Sequence, residues 1–320
     1  MKLGVMANVF GDKSWEEATK AAKSFGMEAI EPGVGGFVGK AHCDPQKLLK
    51  DKDAMKKWVD AYKSQGLVVS ALAAHGNPIH PDPKFSDEHK SDLVDAVKLA
   101  KEIGVGVINC FGGCPGAGDG AKYPSWITCP WPPYFGDSVK WQWEKRLVPF
   151  WKEMAKIAGG SGVKFGFEMH PGDMVYNPEV LLKLRDEVGE EISCNFDPSH
   201  LFWQGIDPLL VIKMLGTTIV HVHAKDSKVD EGVVSWRGVN DWKHYSDIAN
   251  RAWTFRTCGY GHGKLFWNSF VSNLRLAGYD GVISIEHEDP LMSADEGLSK
   301  AVQFLKDVLL YEDVGEMWWA

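Results

Sequence analysis

"KFGFEMHPGD", residues 164–173, is an apolar run that ends in Glu168, Met169 and His170 before a Pro-Gly break. Alternate side chains on a strand face the same side, so a strand here directs Glu168 and His170 to one face. A shared face lets a carboxylate and an imidazole share a ligand. One such pair is ordinary at a solvated strand end; the meaning changes if other strands end the same way.

Seven further β-rich runs surround it: "LGVMANVF" (3–10), "AIEPG" (29–33), "LVVSALAAH" (67–75), "VGVINCFGG" (105–113), "ISCNFDPSH" (192–200), "IVHVHAKD" (219–226) and "GVISIEHED" (281–289). Between them lie stretches with helical spacing, such as "SWEEATKAAKSFG" and "EHKSDLVDAVKLAKEIG", which end in glycines suited to a helix C-terminus. Eight strand-helix units predict an α/β chain folded as a parallel (β/α)8 TIM barrel, one domain over residues 1–320. A doubly wound open sheet is the alternative, but no GxGxxG follows the first run. Two intervals, 114–140 and 227–264, are too long for plain connections. Both follow strands, which in a barrel places them over the C-terminal face, where pockets form.

Composition narrows the classes. A net charge of -8 without a lysine or arginine run disfavours nucleic acid. No apolar run approaches the about 18 residues of a membrane span, and the first residues lack the pattern of a signal peptide, so a cytoplasmic protein is expected. The six cysteines contain no CxxC pair and read as reduced thiols. Of the 14 tryptophans, Trp126, Trp131, Trp203, Trp236, Trp242 and Trp253 fall outside the regular segments, where they offer flat walls for a sugar ring or an aromatic ligand.

At their C-terminal ends the runs carry His75; Glu168 and His170; Asp197 and His200; His221, His223 and Lys225; Glu286 and Glu288. A barrel gathers these ends into one circle. Glu168, Asp197, His223 and Glu286 supply three carboxylates and one imidazole, a donor set for one divalent ion: Mn²⁺ first, with Mg²⁺, Co²⁺, Fe²⁺ or Zn²⁺ as alternatives. Glu288 shares a face with Glu286, but Glu286 lies nearer the interior. His221 lies deeper and reads as a layer residue or a partner of the ligands. Lys225 and Asp226 either bind substrate hydroxyls or pair with each other. His75 and Glu31 are candidates to touch sugar hydroxyls, and Arg256 and His262, in the long loop after strand seven, to close over substrate.

The pieces "FEMHPG", "NFDPSHLFWQGIDP", "HVHAKD", "FRTCGYGHG" and "GYDGVISIEHEDP" together resemble the xylose isomerase-like TIM-barrel superfamily, in particular its sugar phosphate isomerase/epimerase branch. The resemblance spans essentially the whole chain. It implies a metal held by Glu168, Asp197, His223 and Glu286, with His200 near substrate. It also implies proton removal beside a sugar carbonyl through a metal-stabilised enediolate, with Glu168 and Glu286 exchanging the proton from opposite sides.

Part of the family is excluded by what the chain lacks. The three-zinc endonuclease branch needs further histidines, where this chain has Asn109 and Cys110. A second group that the chain resembles comprises the large subunits of C-glycoside deglycosylases and the 3-oxo-sugar lyases. It implies β-elimination from a 3-oxo-glycoside with His170 as base. A non-catalytic sugar-binding barrel is the third reading. The expected ligand is a small-molecule sugar or glycoside, with neither nucleic acid nor membrane as partner. "EMWWA" at the C-terminus points to a homo-oligomer contact or a small partner subunit.

Overall fold

The computed structural model describes residues 1–319, so Ala320, the last residue of "EMWWA", lies outside them. Strands β1 (Lys2–Met6), β2 (Ala29–Glu31), β3 (Val68–Val69), β4 (Leu72–Ala73), β5 (Val107–Cys110), β6 (Lys164–Glu168), β7 (Ile192–Phe196) and β8 (Ile219–Ala224) alternate with helices. A hairpin of β9 (Asp226–Val229) and β10 (Trp253–Arg256) follows, then β11 (Val282–Ile285). The main sheet is parallel and runs β3-β2-β1-β11-β8-β7-β6-β5-β4. Its two ends, β3 and β4, are halves of one expected strand, so the nine pieces make eight staves and the sheet closes on itself. Ser70 N–H donates to Ile30 O (3.2 Å) and Ala73 N–H to Pro32 O (2.9 Å), which carries the pairing across the break.

The ladders stop earlier than the apolar runs do. The run 164–170 is strand only to Glu168, 192–200 only to Phe196, and 281–289 only to Ile285. In the second of these, Pro198 withholds an N–H from any ladder and Ser199–Phe202 turn into a short helix. The polar residues past these points are thereby released to bend over the barrel mouth.

Alternation separates two environments. Phe165, Phe167, Phe196 and Ile283 face the helices and are fully buried. Trp151, from the helix Val148–Ala158, meets the rings of Phe165 and Phe167 at 5.3 and 4.4 Å. Its replacement by alanine carries the cost of an emptied aromatic site, about 3–5 kcal/mol. The opposite set on the same strands, Glu168, Asn195, His221, His223 and Ser284, is polar and buried. Gly166 leaves room for one of these polar groups, because a Cβ there would come within 2.6 Å of Asn109 Oδ1.

Helix ends are set locally. Ser14 and Glu17 form a reciprocal capping box before Trp15–Ser24, and Gly104 closes Pro83–Ile103 in the left-handed region at φ 75°. The interval 114–140 contains the start of a helix at Tyr134, and 227–264 contains the β9–β10 hairpin with the helix Glu231–Arg237. Among the described residues no helix is long and apolar enough to cross a membrane. Trp318 and Trp319 are exposed.

Candidate active site and metal centre

At the C-terminal mouth, Glu168, Asp197, His223 and Glu286 place one donor atom each within 4.8 Å of one another. They come from, or directly follow, four consecutive staves. His223 Nδ1 lies 3.2 Å from Glu168 Oε2 and 3.2 Å from Glu286 Oε2. Its other nitrogen, Nε2, faces Glu31 at 3.1 and 3.2 Å. A proton on Nε2 therefore has an acceptor, and Nδ1 is left toward the three carboxylates.

The donors present fit a divalent cation. Asp197 Oδ1 accepts from Ser199 N–H (2.8 Å), while Oδ2 is buried without a hydrogen bond, although Lys225 Nζ lies 3.1 Å away. Lys225 is itself buried, 2.7 Å from Glu286 and 3.1 Å from Glu288. One lysine does not balance this many carboxylates, so the cluster attracts a further positive charge. Burial opposes ionisation of Glu168, yet contacts with His200 and His223 hold it well below the usual carboxylate range. The same opposition, won by Lys225, lowers Glu286.

A cavity of about 380 Å³ opens above the cluster, lined by His75, Phe111, Glu168, His170, Lys225 and Glu286. His170 forms part of its wall, its ring 4.4 Å from that of His200 and 4.6 Å from Phe111. Burial, with the neighbouring His200, lowers the imidazole to about 3, so it is unprotonated at neutral pH and its Nδ1 has no hydrogen bond. His200 Nε2 lies 3.0 Å from Glu168 Oε1 and His75 Nε2 3.2 Å from Oε2. Glu288 stands half-exposed at the rim.

Three expectations are corrected. Glu31 touches no substrate space: it is fully buried beneath His223, with Asn109 Nδ2 donating to it at 2.7 Å. Attraction from His223 and His221 overcomes its burial and holds its carboxyl at about 2. Arg256 pairs with Asp289 (Nε to Oδ2, 3.1 Å), and His262 pairs with Asp226 (2.7 Å) while stacking on Phe202 at 3.7 Å. Neither Arg256 nor His262 lines the cavity. Lys225 and Asp226 do not pair, because neighbours on an extended chain point to opposite sides. Asp226 instead receives N–H groups from Gly259, Gly261 and His262 and pins the loop "FRTCGYGHG".

The sequence marks Asn109 only as standing where a further metal ligand is absent, and gives Asn195 no role. Asn195 Oδ1 lies 2.9 Å from His221 Nδ1, and Asn109 joins Glu31 to His221. Their two-residue spacing from other inward positions was the available signal. Glu31, His221 and His223 form a further close group, but it shares His223 with the upper one. Ions on both sides would have to share a single imidazole, so the lower group reads as support for the upper.

A family model described as the xylose isomerase-like TIM barrel matches residues 19–308. The chain belongs to the xylose isomerase-like TIM-barrel family. It is 33% identical to the uncharacterized protein YfiH of Bacillus subtilis (strain 168), over 97% of this chain and 99% of that one. It is 28% identical to inosose dehydratase 2 of Bacillus cereus, over 52% of this chain and 54% of that enzyme. Among solved structures, a D-tagatose 3-epimerase-like protein superposes with a TM-score of 0.63 at 21% identity, covering 96% and 98% of the two chains. The IolI protein with a bound zinc atom superposes at 0.63 and 17% identity, over 97% and 98%. At these identities the solved structures speak for the xylose isomerase-like fold alone.

Proposed function

We propose that this protein is a divalent-metal-dependent enzyme that removes a proton beside the carbonyl of a sugar or related polyhydroxy ketone and returns it, as an isomerase or epimerase. The observation that carries this reading is the convergence of Glu168 and Glu286 on His223 Nδ1 at the floor of the cavity. When bound, a divalent ion supplies positive charge beside the carbonyl and so favours loss of the neighbouring proton. Mn²⁺ is the ion proposed, on the mixture of three carboxylates and one imidazole.

The remaining roles fall to the chain. Glu168 and Glu286 hold and move the proton from opposite sides of the carbon. Lys225 keeps Glu286 ionised and thereby ready to accept. His200 fixes Glu168 in place, and His75 stands against its other oxygen. His75 lines the cavity, which supports a role in contacting substrate hydroxyls.

A second reading is favoured by His170. It is an imidazole on the cavity wall that burial keeps unprotonated at neutral pH, the state required of a general base. With His170 as base, proton loss is followed by departure of a substituent, as in β-elimination from a 3-oxo-glycoside. The relatives named inosose dehydratase support an elimination. Incubation with Mn²⁺ in D₂O, with free ketoses and separately with a 3-oxo-glycoside, distinguishes the two by NMR. Deuterium in a recovered or epimerised ketose supports the first reading; an unsaturated 3-oxo-sugar with a released substituent supports the second. Neither product, with metal bound, overturns both.

A further inference from the structure

The turn that closes "KFGFEMHPGD" ends in a carboxyl, Asp173, that stands outside the metal quartet. Pro171 and Gly172 occupy the two central positions of this turn, Gly172 at φ 96°, and Asp173 N–H donates to His170 O at 3.1 Å. Proline at the first central position and a left-handed glycine at the second are what a type II turn requires, so the Pro-Gly break folds the chain back on itself. His170 N–H to Val175 O (3.2 Å) and Met174 N–H to Gly113 O (3.1 Å) hold the returning segment down. Asp173 is thereby brought back to His170, with Oδ2 3.9 Å from Nδ1.

Burial isolates the pair. Asp173 is 8% exposed and lines neither the polar cavity nor the one beside it, an aromatic space of about 440 Å³ walled by Trp126, Trp203, Asp241, Trp242 and Trp253. His170 lines both. Nδ1 is the buried nitrogen of its ring, so a group in either cavity reaches His170 through Nε2. Among the described residues the one ion-pair partner of Asp173 is His170. Burial pushes the Asp173 carboxyl up to about 7, an effect that the Gly113 N–H only partly offsets. The nearby Cys110 and Cys114 thiols are held protonated by burial.

The rings of His200 and Phe111, 4.4 and 4.6 Å away, fix where the imidazole stands but not which nitrogen carries its proton. That is set by the acceptor at the buried nitrogen. Two acceptors are in reach, the Asp173 carboxylate and the Pro171 carbonyl of the same turn. They differ once Nε2 takes a proton. The imidazolium is then a buried cation, opposed by Lys225 and favoured by Glu168, which belongs to the metal quartet. A carbonyl brings no counter-charge to it, whereas a carboxylate does.

We infer that Asp173 is the positioning residue of His170: it accepts from Nδ1–H, holds Nε2 bare toward the cavity, and balances the imidazolium when Nε2 removes the proton beside the sugar carbonyl. This rests on the second reading of the site, with His170 as base. The proton passes to Nε2, the C–H electron pair becomes the new double bond, and the substituent departs with its own bonding pair. Asp173 takes no proton in the step and touches no substrate. Its separation of 3.9 Å closes as the ring gains charge.

The test compares the full chain with Asp173→Asn and Asp173→Ala, with melting temperatures checked to show that the variants are folded. ¹⁵N NMR of the histidine rings is recorded at about pH 8, above the value of the Asp173 carboxyl, and the His170 signals are assigned by their loss in His170→Asn. The parent is expected to hold Nδ1–H with bare Nε2, and both variants to shift toward the Nε2–H form. Turnover is then followed with Mn²⁺ and a 3-oxo-glycoside bearing a nitrophenyl group, whose easy departure leaves proton removal to set the rate. In both variants kcat is expected to fall at least about 100-fold, with KM close to the parent's. An unchanged tautomer in both variants overturns the inference and gives the ring to the Pro171 carbonyl. An altered tautomer with undiminished kcat overturns the positioning role. A parent with an Asp173-dependent tautomer that turns over no 3-oxo-glycoside sustains the pair and defeats only the reading of His170 as base.

Discussion

Glu31 and His223 face each other across the inside of the barrel, with His223 Nε2 3.1 Å from Glu31 Oε2, and both side chains are fully buried. The pair sets which imidazole nitrogen turns to the three upper carboxylates. A carboxylate behind a ligating histidine fixes its tautomer and raises its basicity. Glu31→Ala is therefore expected to weaken Mn²⁺ binding by about 10- to 100-fold, read by calorimetric titration, with Glu31→Gln, which retains an acceptor, weakening it less. Unchanged affinity in Glu31→Ala would remove this role.

Glu286→Gln is expected to abolish both metal binding and turnover, because it deletes one of three carboxylates and leaves Lys225 without its nearest partner at 2.7 Å. Metal content by elemental analysis checks it. Full occupancy would show that Glu286 is no ligand.

His170→Asn separates the two reactions. His170 is grouped with Glu168 and His200 but is not one of the donor quartet, so metal affinity is expected to stay within about twofold, a difference well under about 1 kcal/mol. If His170 is the base, elimination falls by about 100- to 10,000-fold. A proton exchange run by Glu168 and Glu286 is expected to lose far less.

Lys225→Met leaves Asp197, Glu286 and Glu288 without their shared cation. Stranding buried charge in this way costs about 3–5 kcal/mol in the metal-free protein. Added Mn²⁺ is expected to recover more stability in the variant than in the parent. Thermal unfolding with and without the ion gives the comparison, and equal ion effects would count against a cation held among these carboxylates.

The wall of the aromatic cavity is expected to be acid-sensitive. Burial opposes ionisation of Asp241, but hydrogen bonds from Ala252 and Lys243 bring its carboxyl from the ordinary 3.8 to about 2. A depressed carboxyl contributes stability that is present above its unfolded value and lost as pH falls through its folded one. Loop tryptophan fluorescence should therefore hold above pH 3.8 and change as pH falls toward 2, the interval between the two values. Asp241→Asn should lack that transition; an identical acid profile would contradict it.

Much of the site was legible because a strand has a period of two. Glu168 with His170, His221 with His223, and Glu286 with Glu288 announce their shared faces in the sequence alone. The strand limits were less legible, since an apolar run does not reveal where its partner ends; three runs leave the ladder early for this reason. Glu31 was misread because a strand-end carboxylate looks the same whether it meets solvent or a buried imidazole.

Local pattern by itself determined the alternation of eight strand-helix units and the polar residues at the ends of the runs, because both follow from spacing along the chain. The tertiary structure decided which of those residues meet. It put Glu31 under His223, withdrew Arg256 and His262 into pairs with Asp289 and Asp226, and joined Trp126 to Trp203 and Trp253. Such contacts depend on how far each loop folds back over the mouth, and that distance is set by packing between segments remote in sequence.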